Sequence, residues 1–162
     1  MARAPWWRGE RGDWYVVAQG VLVVLIVLGP RNPTGAPVLR APFSLLVTGL
    51  GAALALFGAA LSVAGVRRLG PNLTPLPYPK DGSVLVEIGP YALVRHPIYS
   101  GLIIAALGWA LVVHGLLTLA YAMALFAFFD VKSRREERWL CEKFPEYGEY
   151  QGRVRKLLPW LY

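Results

Sequence analysis

The sequence predicts an all-α integral membrane protein with about four transmembrane helices in a single domain. Three observations lead to this fold class. The 162-residue chain is 56% hydrophobic and only 17% charged, with a mean hydropathy of +0.43, which is too apolar for an ordinary soluble domain. The hydrophobic residues are collected into long runs. The basic residues, which give a net charge of +7, are unevenly distributed among the segments between those runs.

The first two runs are expected to span the membrane. The run from Trp14 to Pro30 is followed by GPRNPTGAPVLR rather than by the small-residue cleavage site of a signal peptide. The run from Phe43 to Val66 has 24 residues without a charge, enough to cross the roughly 30 Å hydrocarbon layer. Glycines allow helices to approach closely, so we expect another helix to pack against Gly49, Gly51, Gly58 and Gly65.

Two shorter runs follow, from Ile98 to Val113 and from Leu116 to Val131, and only His114 and Gly115 separate them. Two interpretations compete: one long buried helix, or a tight helical hairpin. The combined length is about twice the thickness of a bilayer, which favours the hairpin. His114 then lies at the turn, where we expect a solvated loop residue rather than a ligand.

The charges predict how the helices are oriented. Four spans place both termini on one side of the membrane, and 15 of the 17 basic residues and all ten acidic residues lie on that side. Only Arg31 and Arg40 lie on the other. By the positive-inside rule the charged side is cytoplasmic. We therefore expect a multi-pass protein with cytoplasmic N- and C-termini that contacts bilayer lipids, and we attribute the basic charge to orientation rather than to nucleic-acid binding.

The single membrane domain, residues 1–162, divides into two N-terminal spans without a motif, residues 1–66, and a core, residues 67–162. Two large non-membrane blocks, 67–97 and 132–162, share the cytoplasmic face, so we expect any chemistry where they meet. In the first block the prolines disfavour helix and VLVEIG fits a strand-like or extended segment. The second block ends in YGEYQGRV and LLPWLY, which fit an amphipathic segment folded back onto the membrane surface.

The stretch GPYALVRHPIYSG places charged and hydrogen-bonding side chains at the start of the third run. Pro97 suits the first turn of a helix and makes the preceding residue extended, so His96 is expected near the N-cap. Helix N-termini have unpaired N–H groups and attract carboxylates and other electron-rich groups. Tyr99 can bring a hydroxyl to the same place. Physical reasoning alone does not separate this role from interfacial anchoring by Arg95 and the tyrosines.

Charges at helical spacing continue beyond the fourth run. Lys132 and Glu136 share one face, and Asp130 and Arg134 share another; on a solvated helix such pairs contribute only a few tenths of a kcal/mol. A functional role requires the carboxylates to face a cationic or polar ligand, such as a sulfonium or a ribose diol. Adjacent residues point about 100° apart, so we expect Glu136 to face a pocket and Glu137 to lie near the Asp130–Arg134 face.

GPYALVRHPIYSG, a helical hairpin, RREERWLCEKF and EYGEY together resemble the isoprenylcysteine carboxyl methyltransferases and the related bacterial membrane and phospholipid N-methyltransferases. The resemblance covers residues 67–162. It implies an integral membrane methyltransferase that uses S-adenosylmethionine, with S-adenosylhomocysteine as product. The cofactor pocket is then cytoplasmic and formed by the middle loop, the hairpin and the C-terminal segment. The acceptor is lipophilic, and a prenylcysteine-like carboxylate and a lipid amine both stay open.

The resemblance also implies a set of site residues. The cofactor-binding candidates are Ser83, Val84, Leu85, Val86, Tyr91, His96, Pro97, Ile98, Tyr99 and Glu136. The candidate catalytic residues are Arg95, Lys132 and Glu137. Lys132 stands where many members carry arginine, so a bidentate grip on a carboxylate is not expected. Two orientations of Glu137 stay open: the surface position described above, and an inward one in which it orients Arg95 or the acceptor. Methyl transfer from a sulfonium requires no metal, and no metal site is expected from two histidines and one cysteine.

Two other functions stay open from the sequence. The C-terminal end also resembles that of the membrane sterol reductases, which bind NADPH but have more spans. The third possibility is a non-enzymatic membrane scaffold or lipid-binding module of the same fold. Cofactor binding separates the three classes: S-adenosylmethionine or S-adenosylhomocysteine for the methyltransferase, NADPH for the reductase and neither for the scaffold.

Overall fold

The computed structural model describes residues 12–34 and 40–158. Within these ranges the chain forms helices and no strand, which confirms the all-α class. The helices are α1 (Asp13–Leu28), α2 (Phe43–Leu69), α3 (Pro97–Val112), α4 (Leu116–Lys143) and α5 (Tyr147–Arg153). In the described ranges α2 and α4 are long and apolar enough to cross a membrane, whereas α1 and α3 are apolar but have 16 residues each.

The helices α2 and α3 pack backbone to backbone. Three buried glycines of α2 face α3: Gly51, Gly58 and Gly65. A Cβ atom on Gly51 would lie 2.8 Å from the backbone nitrogen of Val112, so no larger residue fits. These three glycines therefore pack as expected. Gly49 does not, because it lies two residues from Gly51 and so on the opposite side of the helix, with no atom within 4 Å of its Cβ position.

A three-residue turn joins α3 to α4, as the hairpin interpretation predicts. His114 adopts a positive φ of 50° there, and its ring Nε2 lies 2.8 Å from Thr48 Oγ1. Asn32 donates to the His114 carbonyl at 3.0 Å and accepts from the Leu116 N–H at 2.8 Å. His114 is therefore half-buried and bonded to α2, not the solvated residue that we expected. The α1–α2 and α3–α4 connections lie at the same end of the bundle.

Helix α1 packs on α4 and meets α3 near this end, where Trp109 Nε1 donates to the Ile26 carbonyl at 3.1 Å. The buried core lies between α1, α3 and α4 and includes Ile26, Ile103, Ala106, Ala122, Leu125, Phe129 and Leu157. Leu157 comes from the C-terminal segment, so this segment is part of the core rather than a separate tail.

The C-terminal segment runs beside the start of α3. The N–H of Arg95 donates to the Arg155 carbonyl at 2.8 Å and that of His96 to the Lys156 carbonyl at 3.2 Å. Lys156, which is buried, also pairs with Asp130 of α4. The two cytoplasmic blocks predicted from the sequence therefore do meet. Residues 159–162, which belong to the predicted aromatic end, lie outside the described residues.

The middle loop crosses this end of the bundle without regular structure. Residues 73–88 form neither helix nor strand, so the prolines prevent a helix as expected, while VLVEIG finds no strand partner. Asn72 holds the loop through both atoms of its amide: Nδ2 donates to the Val84 carbonyl at 3.2 Å and Oδ1 accepts from the Val84 N–H at 3.3 Å. Side-chain bonds therefore replace a sheet in fixing the backbone.

Candidate functional site

A cavity of about 300 Å³ lies between the middle loop and the polar ends of the helices. Nine of the ten cofactor-binding candidates line it: Ser83, Val84, Leu85, Val86, Tyr91, His96, Ile98, Tyr99 and Glu136. Two of the catalytic candidates, Arg95 and Lys132, line it as well. The structure thus gathers residues that are up to about fifty positions apart in the sequence around one space.

Pro97 and Glu137 do not line the cavity. Pro97 is fully buried and occupies the first position of α3, where its missing N–H leaves no bond unmade. His96 is the N-cap residue, as predicted, although its side chain makes no capping bond.

Glu137 is the centre of a buried polar cluster behind the cavity wall. Its Oε1 accepts from Arg95 Nε at 2.7 Å and lies 3.0 Å from His96 Nε2. Its Oε2 accepts from Gln151 Nε2 at 3.2 Å. The guanidinium of Arg95 also donates to the carbonyls of Gln151 and Val154. The cluster therefore links α4, the start of α3 and the C-terminal segment.

The predicted surface position of Glu137 is wrong. Its residue exposure is 8%, and the partner expected for it, Arg134, bonds to Asp130 at 2.7 Å instead. The reason is tertiary: the face of α4 that carries Glu137 is covered by α3 and by the C-terminal segment, and both bring cationic or N–H donors. The inward orientation toward Arg95 is the one that the structure adopts.

Glu136 faces the cavity from the adjacent side of α4, as predicted. Its Oε2 accepts from the Tyr99 hydroxyl at 2.7 Å, and in the described part of the chain its Oε1 accepts no hydrogen bond. The Tyr99 ring stacks between His96, with centroids 5.3 Å apart, and Phe129, at 4.4 Å. A carboxylate oxygen can accept two bonds, so Glu136 has acceptor capacity for a ligand.

Tyr91 lies near the same carboxylate. Burial and the negative charge of Glu136 raise the pKa of Tyr91, so its phenol stays neutral and can donate. The residue is fixed by α5, because the Tyr150 hydroxyl donates to the Tyr91 carbonyl at 2.6 Å.

Lys132 lies elsewhere on the cavity wall and is only 1% exposed. Its ammonium group donates to Gln19 Oε1 at 2.7 Å and to the Pro75 carbonyl at 3.1 Å, and it lies 5.2 Å from the centre of the Tyr99 ring. Among the described residues no carboxylate lies within ion-pair distance of it. Lys132 is therefore a buried cation whose hydrogen-bond partners are neutral and which interacts electrostatically with Glu136 without forming an ion pair.

The sequence analysis missed several residues of the site. Gln19 comes from α1, in the half of the chain judged to carry no motif; the signal for it was a polar residue inside an apolar run. Tyr147 and Tyr150 of α5 also line the cavity, and the EYGEY motif contains both. The Tyr147 hydroxyl is buried and has no hydrogen-bond partner in the described residues.

A lysine at the end of α4 holds the loop over the cavity. Lys143 Nζ donates to Ser83 Oγ at 2.7 Å and to the Lys80 carbonyl, and Ser83 Oγ donates to the same carbonyl at 2.7 Å. With Asn72 on the other side, residues 80–84 are tied at both ends. Among the described residues, the site combines an apolar and aromatic lining, one carboxylate oxygen without a hydrogen bond and one ammonium group without an ion pair. This combination suits a ligand with polar and apolar parts.

Comparison with known proteins identifies relatives of the chain. The family model for phospholipid methyltransferase matches residues 46–147. The cobalt-zinc-cadmium resistance protein CzcN of Cupriavidus metallidurans is 31% identical over 95% of this chain and 65% of its own length. The protein-S-isoprenylcysteine O-methyltransferase of Saccharomyces cerevisiae is 32% identical over 72% of this chain and 50% of its own length.

A shorter match, 38% identical over 43% of this chain, is to methanethiol S-methyltransferase 1 of Bradyrhizobium diazoefficiens, of which it covers 24%. The chain thus spans at most about two thirds of the length of these relatives. The matched region contains α3, α4 and most of the cavity lining, but not α1.

Proposed function

The chain belongs to the phospholipid methyltransferase family, and from that premise we propose that it transfers a methyl group from S-adenosylmethionine to a lipophilic acceptor. The observation that carries the proposal is the cavity, a largely apolar space lined by Glu136, with an oxygen that accepts no bond from the described residues, and by Lys132, whose ammonium has neutral hydrogen-bond partners. When bound, S-adenosylmethionine supplies a methyl group on a positively charged sulfur.

The residues present fit this cofactor. The volume of about 300 Å³ is at the lower end of the range for small-molecule sites. Glu136 Oε1 can accept bonds from ribose hydroxyls or an ammonium group, and the backbone of Leu85 and Val86 offers further donors and acceptors. The Tyr91 ring lines the cavity and can attract a cation. His96 and Tyr99, which stack on each other, form part of the wall, and Ile98 adds apolar contact. Pro97 contributes indirectly, by starting α3 at the cavity.

Lys132 is the residue of the cavity that we assign to the reacting end of the acceptor. A buried cation without a directly bonded anion is unfavourable unless a ligand compensates it, so Lys132 favours an acceptor whose reacting end is anionic, such as a carboxylate or a thiolate. A protonated amine is disfavoured beside it. Leu76 and Leu102, which also line the cavity, suit the lipophilic part of the acceptor.

Arg95 and Glu137 have different roles in this proposal. Arg95 lines the cavity and can reach a ligand, whereas Glu137 acts through its neighbours, because it bonds to Arg95 and His96 from behind the wall. Glu137 is therefore a positioning residue that fixes the two side chains which face the ligand.

We further propose four spans with both termini in the cytoplasm. The Asn32 bonds put the α1–α2 connection beside the α3–α4 turn, and Arg31 and Arg40 belong to that end. The cavity lies at the opposite end, and the proposed four-span topology assigns the other 15 basic residues of the sequence to that side. The positive-inside rule makes that end cytoplasmic, where a water-soluble cofactor is available.

Cofactor binding tests the proposal. Purified protein is titrated with S-adenosylhomocysteine and, separately, with NADPH, and then incubated with labelled S-adenosylmethionine and a membrane lipid extract. We expect binding of S-adenosylhomocysteine alone and label in a lipid-soluble product. Binding of NADPH instead identifies a reductase, and binding of neither identifies a scaffold.

A further inference from the structure

Gln19 is the only polar side chain of α1 between Tyr15 and Leu28. A polar side chain inside an apolar membrane helix is costly unless it has a partner in the protein interior. Gln19 has one: its Oε1 accepts from Lys132 Nζ at 2.7 Å, and both residues line the cavity. Gln19 also lies outside residues 46–147, the part of the chain matched by the family model.

The neutrality of Gln19 matters because it is the side chain closest to the Lys132 charge. The other direct contacts of that ammonium are the Pro75 carbonyl and the faces of the Tyr99 and Phe129 rings, which are neutral as well. The Glu136 carboxylate acts on the ammonium at longer range, without an ion pair. An amide oxygen fixes the ammonium through its dipole and leaves the unit charge in place. A carboxylate at the same position would form a buried ion pair and cancel that charge toward a ligand.

We propose that Gln19 is a specificity-determining residue, which holds Lys132 without a directly bonded anion so that the cavity selects acceptors with an anionic reacting end. This inference rests on the proposed function, whose acceptor class it narrows. It makes α1 a functional part of the site, with the loop at Pro75 and the polar end of α4 supplying the rest of the Lys132 environment.

The test uses three eight-carbon probes that differ only in their head group: octanoate, octanol and octylamine, at pH 7.5. Binding to the full chain in lipid nanodiscs is followed by the ligand-induced shift of the unfolding temperature, which requires no turnover. For the wild type we expect octanoate to bind at least about tenfold more tightly than octanol, and octylamine more weakly than octanol. Equal binding of the three probes overturns the proposal.

Two substitutions at position 19 separate charge from contact. Gln19→Glu keeps the shape and an acceptor oxygen but adds a negative charge, so we expect the preference for octanoate over octanol to disappear. Gln19→Leu removes the hydrogen bond to Lys132 but adds no charge. The preference for octanoate over octanol should therefore become smaller without disappearing. If Gln19→Glu retains the wild-type preference, Gln19 does not control the charge at this site and the proposal is wrong.

A double substitution checks that the effect passes through Lys132. In a Lys132→Met background, adding Gln19→Glu should change octanoate binding no more than it changes octanol binding, because no cation is left to neutralise. S-adenosylhomocysteine titration of the same samples keeps the two proposals apart. A wild type that prefers octanoate but binds no S-adenosylhomocysteine contradicts the proposed function alone, and the reverse result contradicts the Gln19 inference alone.

Discussion

Two adjacent carboxylates of α4 have separate environments, and their substitutions should separate binding from stability. Glu136 faces the cavity with a free oxygen, so Glu136→Gln should weaken S-adenosylhomocysteine binding at least about tenfold. A hydrogen bond to a charged group contributes roughly 1.5–3 kcal/mol, and 1.4 kcal/mol is a factor of ten. The unfolding temperature should change little. Titration calorimetry measures the first quantity, and unchanged affinity would remove Glu136 from the cofactor site.

The companion substitution, Glu137→Gln, should act mainly on stability. It leaves the half-buried Arg95 without its anionic partner. Breaking a fully buried pair from one side typically costs about 3–5 kcal/mol, and we expect a smaller loss here. We expect a lower unfolding temperature, and a cofactor affinity that falls less than in Glu136→Gln when measured well below that temperature. A larger loss of affinity in Glu137→Gln than in Glu136→Gln would reverse the two assignments.

A third prediction concerns the buried hydroxyl of Tyr147, which has no partner in the described residues. An unsatisfied buried polar group costs about 1–3 kcal/mol, so Tyr147→Phe should raise the unfolding temperature of the free protein. The matched control is Tyr150→Phe, which removes the donor to the Tyr91 carbonyl and should lower it. Thermal unfolding of both variants gives the comparison, and a destabilised Tyr147→Phe would show that its hydroxyl is bonded in solution.

At the scale of the elements, the contact between α2 and α3 depends on glycine. A Cβ atom at Gly58 would lie 3.0 Å from the Cα of Ala105, so Gly58→Val should push the helices apart, destabilise the protein and disturb the cavity at the ends of both helices. Gly49→Ala is the control, because the space around Gly49 is open and alanine favours helix. Similar unfolding temperatures for the two variants would contradict this packing.

The positions of the helices were predictable because apolar runs record them directly. The expected run from Phe43 to Val66 begins at the first residue of α2 and ends three residues before the last one, Leu69. The predicted turn at His114 and Gly115 lies between α3 and α4. Nine of the ten cofactor candidates also line one cavity, whereas Pro97 does not. Nothing in the sequence, however, states which face of α4 the C-terminal segment covers, and that contact decides the orientation of Glu137.

Gln19 illustrates the same limit between elements. Its place in an apolar run was visible in the sequence, but its partner lies 113 positions away, and only the packing of α1 on α4 brings the two together. Apolar runs in the sequence therefore predict where helices lie. The groups that surround a charged side chain such as Lys132 depend instead on which helices pack against each other.

At the scale of the whole molecule, the site lies where the residues of α4 change from apolar to charged along the helix. Helix α4 has 28 residues, which at 1.5 Å per residue is about 42 Å, longer than the roughly 30 Å hydrocarbon layer. If its N-terminal end lies at one membrane surface, the segment from Lys132 onward extends to the other surface and beyond. A cofactor from water and an acceptor from lipid can then meet in one cavity.

The sole cysteine provides a test of this orientation. Cys141 is exposed and lies near the end of α4, on the side of the cavity, so a membrane-impermeant maleimide should label it in inside-out vesicles and not in intact cells. As a control, Thr34→Cys in a Cys141→Ser background moves the thiol to the exposed α1–α2 connection and should reverse the pattern. The physical reason is that the proposed topology puts 15 of the 17 basic residues on one side, and basic residues fix orientation during insertion. Labelling of Cys141 in intact cells would place the cavity outside and would contradict both the proposed topology and the proposed reaction.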